Sequence, residues 1–329
     1  MAAVLCACVG AAQEDGACAA ADETFAVRVF RYALEMRDGA VIDARAYAPA
    51  ERDETVDRAP TAADAAGAPL GVAVFAHGGC FTTGDCESHA SKSRSLASRG
   101  LVVVDTSFRQ GAAHPHPAAL RDLADVAEAS RRLGAPFGVA GSSSGGFFAL
   151  ALAADPARWG AKLAPFDFAL AFCPVFDPRA RADYLRACVA GTAGTYGAAV
   201  HGPARAAQML AQQAGYFPGA RRRPSRARAR EGKRARSAGG DAEMDAAAAL
   251  VRAPGAHHGA PTRVFAVLGG ADKNVPAAVT LGLQAYAHKT LVVGQRGHEL
   301  QMALDEDDLA TVAHWLRHAA NRTRAVYEE

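Results

Sequence analysis

The sequence lacks several features that would place it in a specialised class of protein. Its seven cysteines include no CxxC pair and no cysteine/histidine cluster at zinc-binding spacing, which argues against a disulfide framework and a structural zinc. No uncharged apolar run reaches the ~18 residues of a membrane-spanning helix. The 36 basic and 34 acidic residues nearly cancel, so the whole molecule has no strong attraction to nucleic acid or anionic membranes. We therefore expect a soluble protein without a metal or cofactor.

The N-terminus also lacks the charged start of a secretory signal peptide. Residues 2–12 are apolar, but the run is short and no Lys or Arg precedes it. We expect a cytoplasmic location, with secretion and nuclear import as alternatives. Residues 1–23 are Ala- and Cys-rich without helical periodicity, which predicts a loose extension.

Short apolar runs alternate with longer amphipathic stretches along most of the chain. This alternation is typical of a parallel sheet with covering helices, and the clearest helical periodicity lies at 117–133 and 305–319. Two β-rich runs at 25–32 and 41–47 flank Asp38-Gly39, a hairpin-turn dipeptide. The sequence thus predicts a doubly wound α/β sheet with an antiparallel pair at its N-terminal edge. The predicted parallel strands are 71–76, 101–105, 137–140, 168–172, 264–268 and 290–293.

The domain organisation follows from where this pattern stops. We predict one catalytic domain over 24–320 and a C-terminal tail over 321–329, with a surface loop at 49–69 that is rich in Ala, Asp and Pro. Residues 180–254 interrupt the pattern, and an excursion of this length is expected to hold extra helices over the site as a cap.

Inside the excursion, residues 219–240 are predicted to form a solvated, disordered loop. The run from Arg221 to Arg236 is dense in arginine and almost free of apolar residues. Its alternative roles are contact with nucleic acid or an anionic surface, or a nuclear-import signal.

A serine motif stands at the end of the third parallel strand. G-S-S-S-G-G at 141–146 lies between the apolar run 137–140 and the helical run 147–154. A G-x-S-x-G motif at a strand-to-helix turn lifts its central serine clear of the sheet, so Ser143 is the predicted nucleophile. A Gly/Ser-rich loop or a phosphate-binding turn ahead of a helix is the alternative.

A glycine pair follows the first parallel strand. In His77-Gly78-Gly79-Cys80, adjacent glycines allow backbone N–H groups to turn towards a developing oxyanion. Gly78 and Gly79, with Cys80 as a further candidate, would join the N–H of Ser144 in an oxyanion hole. A simple tight turn is the alternative. His77 is expected to hold this loop by hydrogen bonds.

Two later motifs supply an acid and a base. Asp272 follows the strand 264–268 in G-G-A-D-K-N-V-P, and His298 follows the strand 290–293 in G-H-E. Imidazole can take the serine proton near neutral pH, and a buried carboxylate can orient the imidazole. The order Ser, Asp, His is that of the α/β-hydrolase arrangement.

Other assignments of these residues stay open at this stage. Asp272 could cap the helix that follows it, and His298 could be a surface histidine. Glu299 and Asp305 are alternative acids, although both lie close to His298 in the sequence. Six other histidines do not match a strand-end position of this pattern: His77, His89, His114, His116, His257 and His258.

Taken together, HGG, GxSxGG, the late Asp and the late His resemble the esterase and amidase branch of the α/β-hydrolase superfamily. This branch includes hormone-sensitive-lipase-like carboxylesterases and kynurenine-formamidase-like enzymes, and the resemblance covers 25–319 apart from the arginine-rich insert. It implies an α/β-hydrolase fold with a helical cap, and cofactor-free hydrolysis of a small-molecule ester, or of an activated amide such as an N-formyl group.

The resemblance also implies a catalytic Ser143, His298 and Asp272. Cys80, where many members carry glycine or an aromatic residue, and Ser142, where an acid is common, are departures that leave the substrate open. A ligand receptor with slow or no catalysis on the same fold is the main alternative.

Overall fold

The central sheet contains nine strands in the part of the chain that the structure describes. The computed structural model describes residues 24–159, 164–196, 200–218, 244, 262–280, 282–283, 287–301 and 303–327. The strands are β1 (Ala26–Glu35), β2 (Val41–Ala50), β3 (Glu54–Val56), β4 (Gly71–Ala76), β5 (Leu101–Thr106), β6 (Phe137–Ser142), β7 (Phe168–Phe172), β8 (Arg263–Gly269) and β9 (Lys289–Val293). Their order in the sheet is β3-β1-β2-β5-β4-β6-β7-β8-β9.

The antiparallel edge of the sheet is the predicted hairpin. β1 and β2 pair from Ala26↔Ala50 to Glu35↔Val41, and β2 pairs antiparallel with β5. Gly39 adopts φ +81°, which favours glycine, and the N–H of Met36 donates to the carbonyl of Ala40 at 2.7 Å. The Asp38-Gly39 turn prediction is therefore confirmed.

The remaining strands form the parallel body of the sheet. β5, β4, β6, β7, β8 and β9 pair parallel in that spatial order, and every residue of β4, β5, β6 and β7 is buried. Helices cover both faces, so each strand contacts apolar side chains above and below, which explains the continuous apolar runs in the sequence. All six predicted parallel strands are present.

Eight α-helices are found in the described residues. They are α1 (Ala62–Ala65), α2 (Ala90–Ser98), α3 (Ala118–Ser130), α4 (Ser144–Ala154), α5 (Pro178–Ala190), α6 (Pro203–Tyr216), α7 (Ala277–Thr280) and α8 (Glu306–Tyr327). Helices α3 to α6 contribute to one hydrophobic cluster, whereas α2 and α8 contribute to a second. The predicted doubly wound α/β architecture is confirmed. None of the helices in the described ranges is both long and apolar enough to cross a bilayer.

One loop prediction is wrong. The predicted loop 49–69 contains β3 and α1, because β3 gains backbone partners from β1 and the Thr61/Asp64 capping box starts α1. In the predicted C-terminal tail 321–329, the chain is helical as far as Tyr327, since each residue added to an existing helix gains a backbone hydrogen bond.

Several predictions concern residues outside the described ranges. These are the extension 1–23, the loop 219–240 with Arg221 to Arg236, and His257 and His258. In its described part, the excursion 180–254 contains most of α5 and all of α6, which pack against each other.

Candidate active site

Ser143 occupies the tight turn between β6 and α4. Its backbone lies at φ 55° and ψ −119°, an uncommon conformation for a residue with a side chain, which typically costs about 1–3 kcal/mol. Two hydrogen bonds hold the turn: the N–H of Ser143 donates to the carbonyl of Phe172 at 2.9 Å, and the N–H of Val175 donates to the carbonyl of Ser143 at 2.9 Å. The C-terminal end of β7 and the residues directly after it therefore hold Ser143 in this strained conformation.

The glycines around Ser143 are required by close backbone approach. A Cβ atom at Gly145 would lie 2.0 Å from the carbonyl oxygen of Ala76 and 2.4 Å from that of His77. A Cβ atom at Gly141 would lie 2.2 Å from the carbonyl oxygen of Gly145. The GxSxG pattern therefore lets the start of α4 pack directly against the end of β4, where the predicted oxyanion loop begins.

The structure brings Ser143, His298 and Asp272 into one hydrogen-bonded chain. His298 Nε2 lies 3.0 Å from Ser143 Oγ, and His298 Nδ1 lies 2.7 Å from Asp272 Oδ2. The Asp272 side chain is 1% exposed and the His298 side chain is 12% exposed. This arrangement can move a proton from the serine hydroxyl to an imidazole that a buried carboxylate orients.

The second oxygen of Asp272 locks the carboxylate in place. Oδ1 accepts hydrogen bonds from the backbone N–H groups of Asn274 at 2.7 Å and Val275 at 2.9 Å. Asp272 does not cap the following helix, because α7 begins five residues later at Ala277. Oδ2 is thereby directed to His298.

Backbone contacts also join the loop of Asp272 to the loop of His298. The N–H of Gly270 donates to the carbonyl of Val293 at 2.9 Å, and the N–H of Ala271 donates to that of Arg296 at 2.9 Å. These bonds extend the pairing of β8 with β9 beyond the strand ends, so the acid and the base are held as a unit.

The two alternative acids have other partners. Glu299 accepts the N–H of Gly297 at 2.7 Å, and this backbone hydrogen bond lowers the pKa of its carboxyl. Asp305 accepts from Arg296 at 3.2 Å and from the N–H of Asp308 at 2.9 Å. In the described residues, neither carboxylate forms a hydrogen bond or an ion pair with His298.

The loop after β4 has an unusual backbone. Gly79 has φ +140°, and a Cβ atom there would lie 1.7 Å from the carbonyl oxygen of Thr83. Cys80 and Phe81 follow with φ 54° and 68°. Among the described residues, the N–H groups of Gly78, Gly79 and Ser144 have no hydrogen-bond acceptor, and the first N–H groups of a helix such as α4 lack internal partners.

His77 packs inside this loop. Its Nδ1 lies 2.7 Å from the carbonyl oxygen of Gly78, and its ring stacks on Phe108 with the ring centroids 4.1 Å apart. Burial lowers the pKa of His77 to about 4, so the ring is neutral at physiological pH and Nδ1–H donates to Gly78.

Sequence reasoning missed a buried lysine beneath the serine turn. Lys92 on α2 is fully buried; its Nζ donates to the carbonyl of Leu300, lies 3.4 Å from Ser142 Oγ and stands 4.0 Å from the Phe172 ring centroid. Burial lowers its pKa to about 7. Helical spacing offered one signal, because Lys92 precedes the buried Leu96 by one turn.

A buried thiol next to the acid was also missed. Cys173, Asp272 and His298 offer ligand atoms within 4.8 Å of one another, a grouping that could hold a metal ion. Burial raises the pKa of Cys173 to about 12, so its thiol is protonated beside the Asp272–His298 pair. Because Asp272 and His298 are already bonded to each other, the donor set fits a hydrogen-bonded site better than a metal site.

Comparisons with known proteins agree with this architecture. A family model described as the alpha/beta hydrolase fold matches residues 73–227. Esterase LipI of Mycobacterium tuberculosis is 39% identical over 102 residues, which are 29% of this chain and 31% of that protein. The match thus spans about a third of the length of this curated relative.

Solved esterase structures have the same fold across most of the chain. An esterase from Pyrobaculum calidifontis superposes with a TM-score of 0.60 at 19% identity and covers 90% of this chain and 86% of its own. A fungal esterase from Rhizomucor miehei gives 0.63 at 15% identity, with 91% and 86% covered. These matches support the resemblance inferred from the four motifs, and this chain has the α/β-hydrolase fold.

Proposed function

We propose that this protein is a serine hydrolase that cleaves carboxylic esters through an acyl-enzyme intermediate. The observation that carries the proposal is the hydrogen-bonded chain from Ser143 through His298 to the buried Asp272. The esterase names of the relatives described above support an ester as the substrate class.

In the first step His298 Nε2 takes the proton of Ser143 Oγ as the oxygen attacks the ester carbonyl carbon. The carboxylate of Asp272 keeps Nδ1 protonated, so that Nε2 carries the lone pair, and it stabilises the imidazolium that forms. His298 then returns the proton to the leaving alcohol. A water molecule, deprotonated by the same imidazole, hydrolyses the acyl-enzyme and releases the acid.

The oxyanion of each tetrahedral intermediate requires hydrogen-bond donors. The N–H groups of Gly78, Gly79 and Ser144 are assigned this role, because none of them has an acceptor in the described residues and the loop of Gly78 adjoins the start of α4. Donors that are already oriented before reaction stabilise charge without reorganisation; removing one typically costs about 2.7–4 kcal/mol.

The first experiment compares wild type with Ser143→Ala on p-nitrophenyl butyrate and with a fluorophosphonate probe. Ser91→Ala is the matched control, because Ser91 is exposed on α2 and lies in none of the loops described above. We expect turnover and labelling in wild type and in the control, and neither in Ser143→Ala. Folded wild type that shows no turnover and no labelling would refute catalysis and favour the ligand-receptor alternative.

The same preparation separates esters from activated amides. An N-formyl anilide is assayed beside the ester, and the ratio of the two kcat/KM values decides which bond the site favours. We expect the ester to be preferred, since the alkoxide of an ester is a better leaving group than the nitrogen of an amide.

A further inference from the structure

A buried arginine stands beside the candidate active site. Arg181 on α5 is fully buried, and its guanidinium contacts three other segments of the chain. Nη1 donates to Gln213 Oε1 at 2.8 Å, Nη2 donates to Asn274 Oδ1 at 2.6 Å, and Nε donates to the carbonyl of Asn274 at 3.4 Å.

The partners of this guanidinium are all neutral. Among the described residues, no carboxylate forms an ion pair with Arg181, and its remaining contact is a thiol. Charged side chains are rarely buried without a counter-charge, because desolvating an unpaired ion is costly. Arg181 therefore has no ion-pair partner within the part of the chain that the structure describes.

The arginine lies between the two sides of the proposed site. Its Nη2 is 3.7 Å from the Sγ atom of Cys80 in the oxyanion loop, and Asn274 stands two residues after Asp272. Cys80 and Asn274 are both partly exposed, so the guanidinium is only one side chain away from solvent-accessible surface. A bound substrate would lie close to this charge.

Two of the five guanidinium N–H groups are available to a stronger acceptor. One N–H on Nη1 is not used by the contacts above, and one on Nη2 faces the Cys80 sulfur, which is a weak acceptor. A carboxylate oxygen is the acceptor that guanidinium prefers, and it can accept both N–H groups. The position next to the Cys80 thiol is thus suited to a carboxylate.

His201 is a further, partly buried polar group whose titration is affected by Arg181. His201 has a lowered pKa, first because of burial and then because of the charges on Arg181, Lys273 and Arg205. Its Nε2 atom is buried and has no hydrogen-bond partner in the described residues. A neutral His201 therefore offers a further polar contact for an anionic ligand.

We infer that the substrate is an ester that carries a free carboxylate, and that Arg181 binds this carboxylate in exchange for its contact with Cys80. The inference rests on the proposed ester hydrolysis and names its substrate class, the half-esters of dicarboxylic acids being the simplest members. Charge-assisted hydrogen bonds contribute enough binding energy to favour such substrates by about 10- to 100-fold in kcat/KM over neutral analogues.

The test measures hydrolysis of monomethyl succinate, glutarate and adipate in a pH-stat at pH 7.5, against the methyl esters of the corresponding monoamides. Arg181→Met removes the charge with a similar shape, and Arg181→Lys keeps the charge. Arg179→Met is the matched control, because Arg179 lies on the same helix and is paired with Asp183 at 3.2 Å. The turnover of p-nitrophenyl butyrate is recorded for every variant.

We expect wild type and Arg179→Met to prefer the carboxylate ester by at least about tenfold and Arg181→Lys to keep part of the preference. In Arg181→Met, kcat/KM should fall about tenfold or more further on the carboxylate esters than on p-nitrophenyl butyrate. Wild type that cleaves p-nitrophenyl butyrate without preferring carboxylate esters would overturn this inference and leave the ester hydrolase intact. An equal loss on charged and neutral esters in Arg181→Met would also overturn it, because Arg181 would then only position the two loops.

A second measurement does not depend on the folding of any variant. Free adipate should inhibit wild-type turnover of p-nitrophenyl butyrate competitively, and adipamide should not. Equal inhibition by both compounds, or by neither, contradicts a carboxylate site.

Discussion

Replacing Asp272 with asparagine tests the electrostatic arrangement of the candidate site most directly. The change is nearly isosteric, so the fold should be retained, but it exchanges one acceptor oxygen for an NH2 group. The structure determines which end of the amide faces His298. Oδ1 of Asp272 accepts two backbone N–H groups, at 2.7 Å and 2.9 Å, and an NH2 group cannot replace it there.

The amide oxygen of the variant must therefore occupy the Oδ1 position and its NH2 group must face His298 Nδ1. Nδ1 then has to accept a hydrogen bond, which places the imidazole proton on Nε2, 3.0 Å from Ser143 Oγ. In this tautomer Nε2 cannot take the serine proton. We expect kcat to fall by about 10⁴-fold, a loss of transition-state stabilisation of about 5.4 kcal/mol.

The assay is steady-state hydrolysis of p-nitrophenyl butyrate by wild type, Asp272→Asn and the control Asp305→Asn. Asp305 bonds to Arg296 rather than to His298, so the control should retain wild-type kcat. Circular dichroism and urea unfolding establish that all three proteins are folded. A folded Asp272→Asn variant with more than a tenth of wild-type kcat would refute this account of tautomer control.

Three further predictions concern buried residues. Gly145→Ala should lower stability by about 1–3 kcal/mol or more in urea unfolding and reduce kcat, because the added methyl would lie 2.0 Å from the carbonyl of Ala76. Burial lowers the pKa of Lys92 to about 7, so between pH 7 and 10.5 the unfolded chain binds more protons than the folded chain. The free energy of unfolding should therefore rise from pH 8 to 10, and Lys92→Met should reduce this dependence on pH. Burial raises the pKa of Asp105 to about 8, so between pH 3.8 and 8 the folded chain binds more protons than the unfolded chain. The free energy of unfolding should therefore fall from pH 5 to 7, and Asp105→Asn should reduce that fall. An unchanged slope in either variant contradicts the assigned pKa direction, and a fully stable, active Gly145→Ala contradicts the close packing.

The sheet could be predicted from the sequence because burial on both faces produces a continuous run of apolar residues in each strand. A strand covered by helices on both sides carries mostly apolar residues, and β4 and β7 show this pattern throughout, whereas β5 shows it as far as Val104. β3 has no such apolar run. Its three residues, Glu-Thr-Val, are only partly buried or exposed, and their strand conformation comes from pairing with β1, which is distant in the sequence. Pairing of this kind cannot be predicted from a three-residue pattern.

The candidate site was predictable to the extent that its geometry constrains residue type locally. The turn at Ser143 needs glycines beside it, and the loop at Gly79 needs a backbone that a side chain would obstruct, so both left short motifs in the sequence. The acid and the base followed from their positions after successive strands. Lys92 and Cys173 gave no comparable motif, since their relation to the site arises only when α2 and the end of β7 pack beneath it.

The same distinction applies to charge. A net charge of +2 describes the whole chain and predicts no anionic partner, yet the electrostatics of the site depend on groups that burial removes from solvent screening. Arg181 is fully buried with neutral partners, whereas Arg179 on the same helix is paired with Asp183. Composition counts these two arginines equally, but only the buried Arg181 contacts Cys80 and Asn274, which flank the candidate site. We therefore attribute the expected substrate preference to Arg181, which has no carboxylate partner among the described residues.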